Sequence, residues 1–258
     1  MAKEQLLLVK VGGKVVENPD ALRQLIDDLS KIKGRKMMVH GGGVLATKTA
    51  TALGIKTTMV NGRRITDNNM IDVVTMVYAG LVNKRVVALL QSVGANAIGL
   101  CGADMNVILS DKRPITTVDY GWVGDVKRVD GEALSRLIEN GVMPVMAPLT
   151  HDGKGHILNT NADTIAAETA KGLAPYYDVT LVFCFEKHGV LRNADDDGSV
   201  IPSLNRSDYE ALKAEGVITD GMIPKLDNAF STIEHGVKEV VITHASCLGD
   251  LSKGTHIK

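Results

Sequence analysis

Two glycine-rich turns, each placed directly after a short apolar run, decide how this chain folds. The first is Leu6-Leu-Leu-Val-Lys-Val-Gly-Gly13, and the second is Met37-Met-Val-His-Gly-Gly-Gly43. Asn18-Pro19 is a typical helix start, and apolar residues then recur at helical spacing until Gly34. This repeated strand, glycine turn and helix predicts an α/β fold, a three-layer αβα sandwich around a mostly parallel open sheet.

The same alternation continues along the chain. Helices are predicted over residues 44–53, 67–91, 131–140, 161–173, 208–215 and 221–236. Strands are predicted over 96–100, 106–109, 142–147, 179–185 and 239–243, and hairpins over 58–65, 116–129 and 189–201. The Pro-containing break at 174–178 predicts two lobes, residues 1–175 and 176–258.

Composition narrows the class of protein. The chain has 258 residues, of which 45% are apolar, and its net charge is -1. These values exclude a disordered chain and a protein held to nucleic acid or an anionic membrane by bulk charge. Three scattered cysteines argue against a disulfide framework, and neither a signal segment nor an uninterrupted apolar run of spanning length is visible. We therefore expect a cytoplasmic protein without nucleic-acid or membrane partners.

Several well-known motifs are missing from the sequence. It contains no P-loop, no G-x-G-x-x-G, no protein-kinase signature and no H-E-x-x-H. The run from Asn193 to Gly198 begins like a calcium-binding loop, but Leu204 stands where the bidentate Glu is needed, so it is read as a turn. His40-Gly41-Gly42-Gly43 occurs without the G-x-S-x-G of an esterase.

The chemistry of the two glycine turns favours anionic ligands. Lys10 places a cation at the end of the first strand, and Gly12 and Gly13 leave the backbone there free of side chains. The second turn leads into a helix, whose N-terminal N–H groups attract an anion. Two such turns at one sheet edge suit a phosphorylated ligand that faces an acidic one. The alternative for each turn is a tight bend that requires glycine.

Five motifs in order resemble the amino-acid kinase family. Besides the two turns, they are Asn61-Gly-Arg-Arg-Ile-Thr66, Asn159-Thr-Asn-Ala-Asp163 and Ile218-Thr-Asp-Gly-Met-Ile-Pro-Lys225. The resemblance implies the amino-acid kinase fold and transfer of the ATP γ-phosphoryl group to a carboxylate. It is greatest to members that phosphorylate N-acetyl-L-glutamate in arginine biosynthesis. N-succinyl-L-glutamate is the alternative acceptor; aspartate, glutamate or a non-catalytic small-molecule sensor are less favoured.

The resemblance also implies roles for residues on both sides of the reaction. Lys10 and Lys225 are expected to neutralise charge on the transferred phosphoryl group, and Asp163 to hold their ammonium groups in place. Acceptor-binding roles fall on Gly42, Gly43, Arg64 and Asn159, with Arg64 clamping the α-carboxylate. Gly12 and Gly13 would donate N–H groups to the phosphates of ATP.

The nucleotide side matches the family less closely. Glu186 replaces the aspartate that relatives usually carry after this strand, which changes the expected purine and ribose contacts. The expected nucleotide-binding residues are Glu186, Lys187, His188, Gly189, Val190, Leu191, Val217, Ile218 and Thr219. Magnesium is expected to be held mainly by the nucleotide phosphates, without a named protein ligand.

Assembly and acceptor choice give the remaining expectations. In the family that the chain resembles, arginine-inhibited members carry an extra N-terminal helix, and only nine residues precede Lys10 here. The resemblance therefore implies an arginine-insensitive homodimer, with acylglutamate binding and dimerisation in the N-terminal lobe and ATP binding in the C-terminal lobe. Arg63 adds a second cation directly before Arg64. This supports the hypothesis that Arg63 binds the extra carboxylate of an N-succinyl group.

Overall fold

The computed structural model describes residues 3–193, 195–219 and 222–258. Its strands are β1 (Glu4–Val11), β2 (Arg35–His40), β3 (Met59–Val60), β4 (Arg63–Arg64), β5 (Ala97–Leu100), β6 (Ile108–Lys112), β7 (Gly124–Val129), β8 (Met143–Met146), β9 (Leu149–His151), β10 (Ile157–Asn159), β11 (Tyr177–Phe185), β12 (Ser203–Leu204), β13 (Glu239–His244) and β14 (Thr255–Ile257). Its α-helices are α1 (Gly13–Glu17), α2 (Pro19–Lys31), α3 (Gly43–Ala52), α4 (Asn68–Val74), α5 (Asn83–Ser92), α6 (Gly131–Glu139), α7 (Ala162–Leu173), α8 (Arg206–Ala214) and α9 (Ile223–Glu234).

Eight strands form the central sheet, in the order β12-β14-β13-β11-β1-β2-β8-β5. Neighbouring strands are parallel except for β13 and β14. The central strand β1 pairs Val11 with His40 on one side and with Cys184 on the other. Both predicted glycine turns therefore lie side by side at the carboxyl edge of one sheet, where ligands bind in open α/β folds.

Helices cover both faces of this sheet and confirm the three-layer prediction. On β1, Leu6 and Leu8 point into the core shared with α6, α7 and α9, whereas Val9 and Val11 point into the core shared with α2 and α5. This alternation follows from the two-residue period of a strand. Nearly all of these strand residues are apolar because both faces are buried.

The start of α2 shows how the sequence sets an element boundary. Asn18 is the N-cap, and its side chain accepts hydrogen bonds from the backbone N–H groups of Asp20 and Ala21. Pro19 occupies the first helical turn, where its missing N–H costs nothing. The buried face of the helix consists of Leu22, Leu25, Ile26 and Leu29.

A second sheet, in the order β10-β9-β6-β7, stands beside the central one and was only partly predicted. The predicted hairpin over 116–129 is wrong, because β7 pairs antiparallel with β6 and the residues before it form no partner strand. The strand predicted over 106–109 instead spans Ile108–Lys112. Strands β9, β10, β12 and β14 and helix α1 were not predicted. The β3–β4 hairpin confirms the turn at Asn61-Gly62.

The break predicted at 174–178 is shorter than expected, since β11 already begins at Tyr177. β11 then pairs with β1 over eight residues, so the central sheet runs without interruption through both predicted lobes. In the hairpin predicted over 189–201, the described part contains an antiparallel bridge between Leu191 and Val200, and backbone hydrogen bonds join Arg192 to Ser199 and Ile201 to Val190. Ala194 of that hairpin, and Asp220 and Gly221 of the last motif and helix, lie outside the described residues.

Residues Asn68–Ser92 form one continuous helix that passes through a π-helical stretch, Thr75–Val82, between α4 and α5. By length and composition alone it could cross a membrane, with a mean hydropathy of 1.5 in its most apolar window. However, 44% of that window is buried inside the fold, which is equally characteristic of a core helix.

Candidate active site

Two cavities open beside the glycine turns, and Gly13 lies in the wall of both. Cavity A has a volume of about 210 Å³, and cavity B of about 330 Å³. The predicted residues in the wall of cavity A are Gly13, Gly42, Gly43, Arg63, Arg64 and Asn159. Those in the wall of cavity B are Gly12, Gly13, Glu186, Lys187, Gly189 and Lys225.

The two turns need glycine because their backbones touch each other. A Cβ atom on Gly41 would lie 2.9 Å from the backbone nitrogen of Gly13, and one on Gly13 would lie 3.3 Å from that of Gly42. The Gly41 N–H also donates to the Val11 carbonyl, at 2.9 Å. The wall between the cavities is therefore bare backbone, with N–H groups available to an anionic ligand.

Lys10 and Asp163 form an ion pair next to this wall. The Lys10 Nζ lies 2.6 Å from the Asp163 Oδ1, and the lysine side chain is only 8% exposed. Asp163 is held at the start of α7 because the Asn161 side chain, the N-cap, accepts hydrogen bonds from the backbone N–H groups of Asp163 and Thr164. Asn161 is thus a positioning residue to which the sequence analysis gave no role.

Lys225 approaches the same region from the other end of the sequence, on α9. Its Nζ lies 4.1 Å from the centre of the Phe185 ring, and the Lys10 Nζ lies 5.1 Å from the same centre. The two ammonium groups can therefore be at most about 9 Å apart. Phe185, at the end of β11, was missed by the sequence analysis. One hint of its role was present in the sequence: Phe185 directly precedes Glu186, the position where the chain differs from its relatives.

Arg64 is a buried cation in the wall of cavity A. Its Nη2 donates to the Gly43 carbonyl at 2.8 Å and to the Thr47 hydroxyl at 2.9 Å. A longer contact of 3.4 Å joins Nη1 to the hydroxyl of Thr57. These contacts fix the guanidinium against the second glycine turn, while Nε and part of Nη1 stay available to a ligand.

Asn159 faces cavity A from β10. Its Nδ2 donates to the Thr66 hydroxyl at 2.9 Å, and its backbone N–H donates to the Trp122 carbonyl. Trp122 in turn donates its backbone N–H to the Thr66 carbonyl and its ring N–H to Asn68. Trp122, the chain's single tryptophan, therefore links the segment that carries Arg64 to the segment that carries Asn159 through these hydrogen bonds.

His40 supports the second glycine turn from the core. Burial lowers the pKa of His40 to about 4, so the ring is neutral near pH 7. Its Nδ1 donates to the Gly41 carbonyl at 2.8 Å, and its Nε2 accepts from the Asn83 amide at 3.1 Å. Because both nitrogens are occupied, His40 is placed as a structural residue rather than as a general base.

Cavity B brings together only some of the predicted nucleotide-binding residues. Glu186 forms an ion pair with Lys14, at 2.7 Å, and both side chains are exposed. Val190 and Ile218 are buried in the hydrophobic core. Of the remaining predicted positions, His188, Leu191, Val217 and Thr219 are likewise outside the wall of cavity B.

The arrangement suits two anionic ligands that meet at Gly13. Lys10, Lys225 and backbone N–H groups can compensate negative charge between the cavities, and Arg64 can do so inside cavity A. In the described part of the chain, no group of three or more His, Cys, Asp or Glu side chains could hold a metal ion. A cation at this place would therefore need ligands from the bound molecules themselves.

Comparison with known proteins agrees with this geometry. The model of the amino acid kinase family matches residues 5–244. The chain is 61% identical over 256 residues to the acetylglutamate kinase of Bacteroides thetaiotaomicron, and 62% identical to that of Bacteroides fragilis; 99% of this chain and at least 98% of each relative are covered. The crystal structure of smu.665 from Streptococcus mutans superposes with a TM-score of 0.77 at 29% identity, covering 98% of both chains.

Proposed function

Because the chain belongs to the amino acid kinase family, we propose that it transfers the γ-phosphoryl group of ATP to the side-chain carboxylate of N-acetyl-L-glutamate, a step of arginine biosynthesis. The product is N-acetylglutamyl 5-phosphate. Its relatives at 60–62% identity are acetylglutamate kinases, which favours this acceptor over the N-succinyl alternative.

The observation that carries this proposal is the meeting of cavities A and B at Gly13, beside the ammonium groups of Lys10 and Lys225. A carboxylate is already ionised at neutral pH, so it can attack the γ-phosphorus without a general base. The bond between the γ-phosphorus and the bridging oxygen breaks, and ADP leaves with that oxygen. What the protein must supply is alignment of two anions and compensation of their charge.

We assign the roles by cavity. N-acetyl-L-glutamate occupies cavity A, with its α-carboxylate toward Arg64 and Asn159 and with the N–H groups of Gly42 and Gly43 along its length. ATP occupies cavity B. Its phosphates lie toward Gly12 and Gly13, and its nucleoside lies toward Glu186, Lys187 and Gly189, the three of the nine predicted positions that line this cavity.

Lys10, Lys225 and Asp163 are the proposed catalytic residues. The 2.6 Å ion pair with Asp163 holds the Lys10 ammonium 5.1 Å from the centre of the Phe185 ring, which lines cavity B, although Lys10 and Asp163 themselves are outside the walls of both cavities. This position supports charge compensation on the phosphoryl group in transfer. Asp163 organises the lysine and removes no proton from the acceptor.

Magnesium fits this site as a companion of ATP. Two acidic side chains of the proposed site, Asp163 and Glu186, are each paired with a lysine, Lys10 and Lys14 respectively. We therefore propose that phosphate oxygens and water hold Mg²⁺, which would neutralise phosphate charge when bound.

We also propose a cytoplasmic homodimer with the lobe division 1–175 and 176–258. The N-terminal part, which contains cavity A, would carry the dimer contact. The support is β5, which is an edge strand of the central sheet and leaves Ile98 exposed. An exposed apolar side chain at such an edge favours contact with a second copy.

The test is an ADP-release assay, checked by hydroxamate trapping of the acyl phosphate. N-acetyl-L-glutamate, N-succinyl-L-glutamate, glutamate and aspartate are compared side by side. The highest kcat/KM is expected for the N-acetyl compound. Highest efficiency with the N-succinyl compound, lost in Arg63→Ala, would replace the acceptor by its alternative. ADP release without hydroxamate would contradict carboxylate phosphorylation.

A further inference from the structure

Tyr78 is a polar side chain in the wall of cavity A that belongs to none of the five motifs. It lies in the π-helical stretch Thr75–Val82, in the middle of the long helix. A π-helical turn contains more residues than an α-helical turn, so it changes which side chains face inward, and such stretches are frequent at functional sites. Tyr78 is only 5% exposed, yet it borders the cavity.

The aromatic ring of Tyr78 rests on the second glycine turn. A Cβ atom on Gly42 would lie 2.9 Å from the ring carbon Cδ1. A Cβ atom on Gly43 would lie 4.0 Å from the Tyr78 hydroxyl and 3.9 Å from the Nη2 of Arg64. The hydroxyl and the guanidinium therefore flank the same glycine, and all three residues lie in the wall of cavity A.

Arg64 has few N–H donors left for a ligand in cavity A, and the Tyr78 hydroxyl can supply a further donor. Both N–H bonds of the Arg64 Nη2 are already directed at the Gly43 carbonyl and the Thr47 hydroxyl. A bound carboxylate can accept about four hydrogen bonds, so it needs donors besides the free part of the guanidinium. Burial raises the pKa of Tyr78, an effect that the charge of Arg64 offsets only in part, so the phenol keeps its proton near pH 7.

We propose that the Tyr78 hydroxyl donates a hydrogen bond to the α-carboxylate of the bound acceptor and thereby sets the affinity for it. The inference rests on the proposed function, because it places an acidic acceptor in cavity A. Tyr78 is then a binding residue for the acceptor, remote from the nucleotide. A hydrogen bond to a charged group changes affinity by roughly tenfold or more.

The central test is Tyr78→Phe, which removes the hydroxyl and keeps the ring on Gly42. The KM for N-acetyl-L-glutamate should rise about tenfold, whereas kcat and the KM for ATP should stay within about twofold. Tyr176→Phe is the matched control, since Tyr176 is 42% exposed and borders neither cavity A nor cavity B. Its kinetics should equal those of the wild type.

A second comparison tests the hydroxyl–carboxylate contact directly. The wild type and Tyr78→Phe are titrated calorimetrically, without ATP, with N-acetyl-L-glutamate and with its α-amide. The loss of affinity in Tyr78→Phe should be several-fold larger for N-acetyl-L-glutamate than for its α-amide, because the amide group carries no charge. Equal losses for both ligands would overturn the proposed contact, as would an unchanged KM in Tyr78→Phe. A wild type that neither binds nor phosphorylates the acceptor would instead contradict the proposed function.

Discussion

At the scale of single residues, the two lysines carry the chemistry that we propose. Lys10→Arg and Lys225→Arg should each lower kcat at least 100-fold, with a much smaller effect on KM. The guanidinium is broad and planar and spreads its charge, so it cannot place that charge at the point where the compact ammonium lies, 2.6 Å from Asp163 for Lys10 and 4.1 Å from the centre of the Phe185 ring for Lys225. Steady-state kinetics with both substrates measures this.

Lys213→Arg is the control for the lysine variants. Lys213 lies on α8 with its Nζ 5.4 Å from the Tyr209 ring, outside cavities A and B. It makes a comparable contact with an aromatic ring, but its replacement should leave kcat unchanged. A large rise in KM with kcat intact in the Lys10 or Lys225 variant would show that these residues bind substrate without compensating charge in transfer.

His40 makes stability depend on pH. The pKa of about 4 in the folded state lies below the usual 6.5, so the unfolded chain binds the proton more readily between these values. The stabilisation from neutral His40 is complete above pH 6.5 and is lost as the pH falls toward 4. Its loss should reach roughly 2 kcal/mol at pH 5.

The measurement is chemical denaturation of the wild type and His40→Asn at pH 7 and pH 5. The variant keeps a neutral donor for the Gly41 carbonyl but cannot titrate. The stability difference between the two proteins should therefore shrink by roughly 2 kcal/mol at the lower pH. Parallel losses in both proteins would mean that His40 does not titrate in this range.

At the scale of elements, the two strand ends act as one unit because their glycine turns touch. Gly41→Ala should lower stability by about 1–3 kcal/mol and activity more than tenfold, since the new methyl group would meet Gly13 backbone atoms that cannot rotate away. Gly80→Ala is the control: nothing lies within 4 Å of its Cβ position. Chemical denaturation and steady-state kinetics should show lower stability and activity for Gly41→Ala than for Gly80→Ala. Equal stability and activity of the two variants would refute the backbone contact.

Elements with both a period and a start signal could be predicted from the sequence. Helix α2 has Asn18, Pro19 and a regular apolar face, and β1 has an uninterrupted apolar run, so both were predicted close to their observed bounds. The short strands β9 and β12 have three and two residues, too few to show a period. β7 was paired wrongly because its partner is set by tertiary contacts with β6 rather than by a local turn.

The candidate site shows the same limit. Lys10, Asp163 and Lys225 were found because motifs carry them, although 153 and 62 positions separate them along the chain. Phe185 and Tyr78 were missed, since an apolar strand end and an apolar helix interior give no sign that a side chain will face a cavity. Phe185 lies at the site because β11 is next to β1 in the sheet, and Tyr78 faces it from the π-helical stretch.

At the scale of the whole molecule, one continuous sheet carries both cavities and ends at β5, whose outward carbonyls of Ala97 and Gly99 accept hydrogen bonds from Gln91 and Lys84 of α5. Strand β5 lies at the end of the strand order, next to β8, and has no partner strand on its outer side among the described residues. Ile98 of β5 is 37% exposed, and the long helix beside it presents Leu81 at 40%. These exposed apolar side chains at the edge of the sheet favour association of two copies.

Ile98→Lys should therefore separate the dimer that we propose. A lysine at the edge strand opposes pairing by charge repulsion across a symmetric contact, in which each copy would present the same cation. Light scattering after size exclusion should give about twice 27.5 kDa for the wild type and 27.5 kDa for the variant. Ile115→Lys, at a side chain that is 69% exposed between β6 and β7, should remain dimeric.

A monomeric wild type would contradict the proposed assembly, and a dimeric Ile98→Lys would show that the dimer contact lies away from β5. Because cavities A and B are each lined by one copy of the chain, the monomer should keep most of its activity.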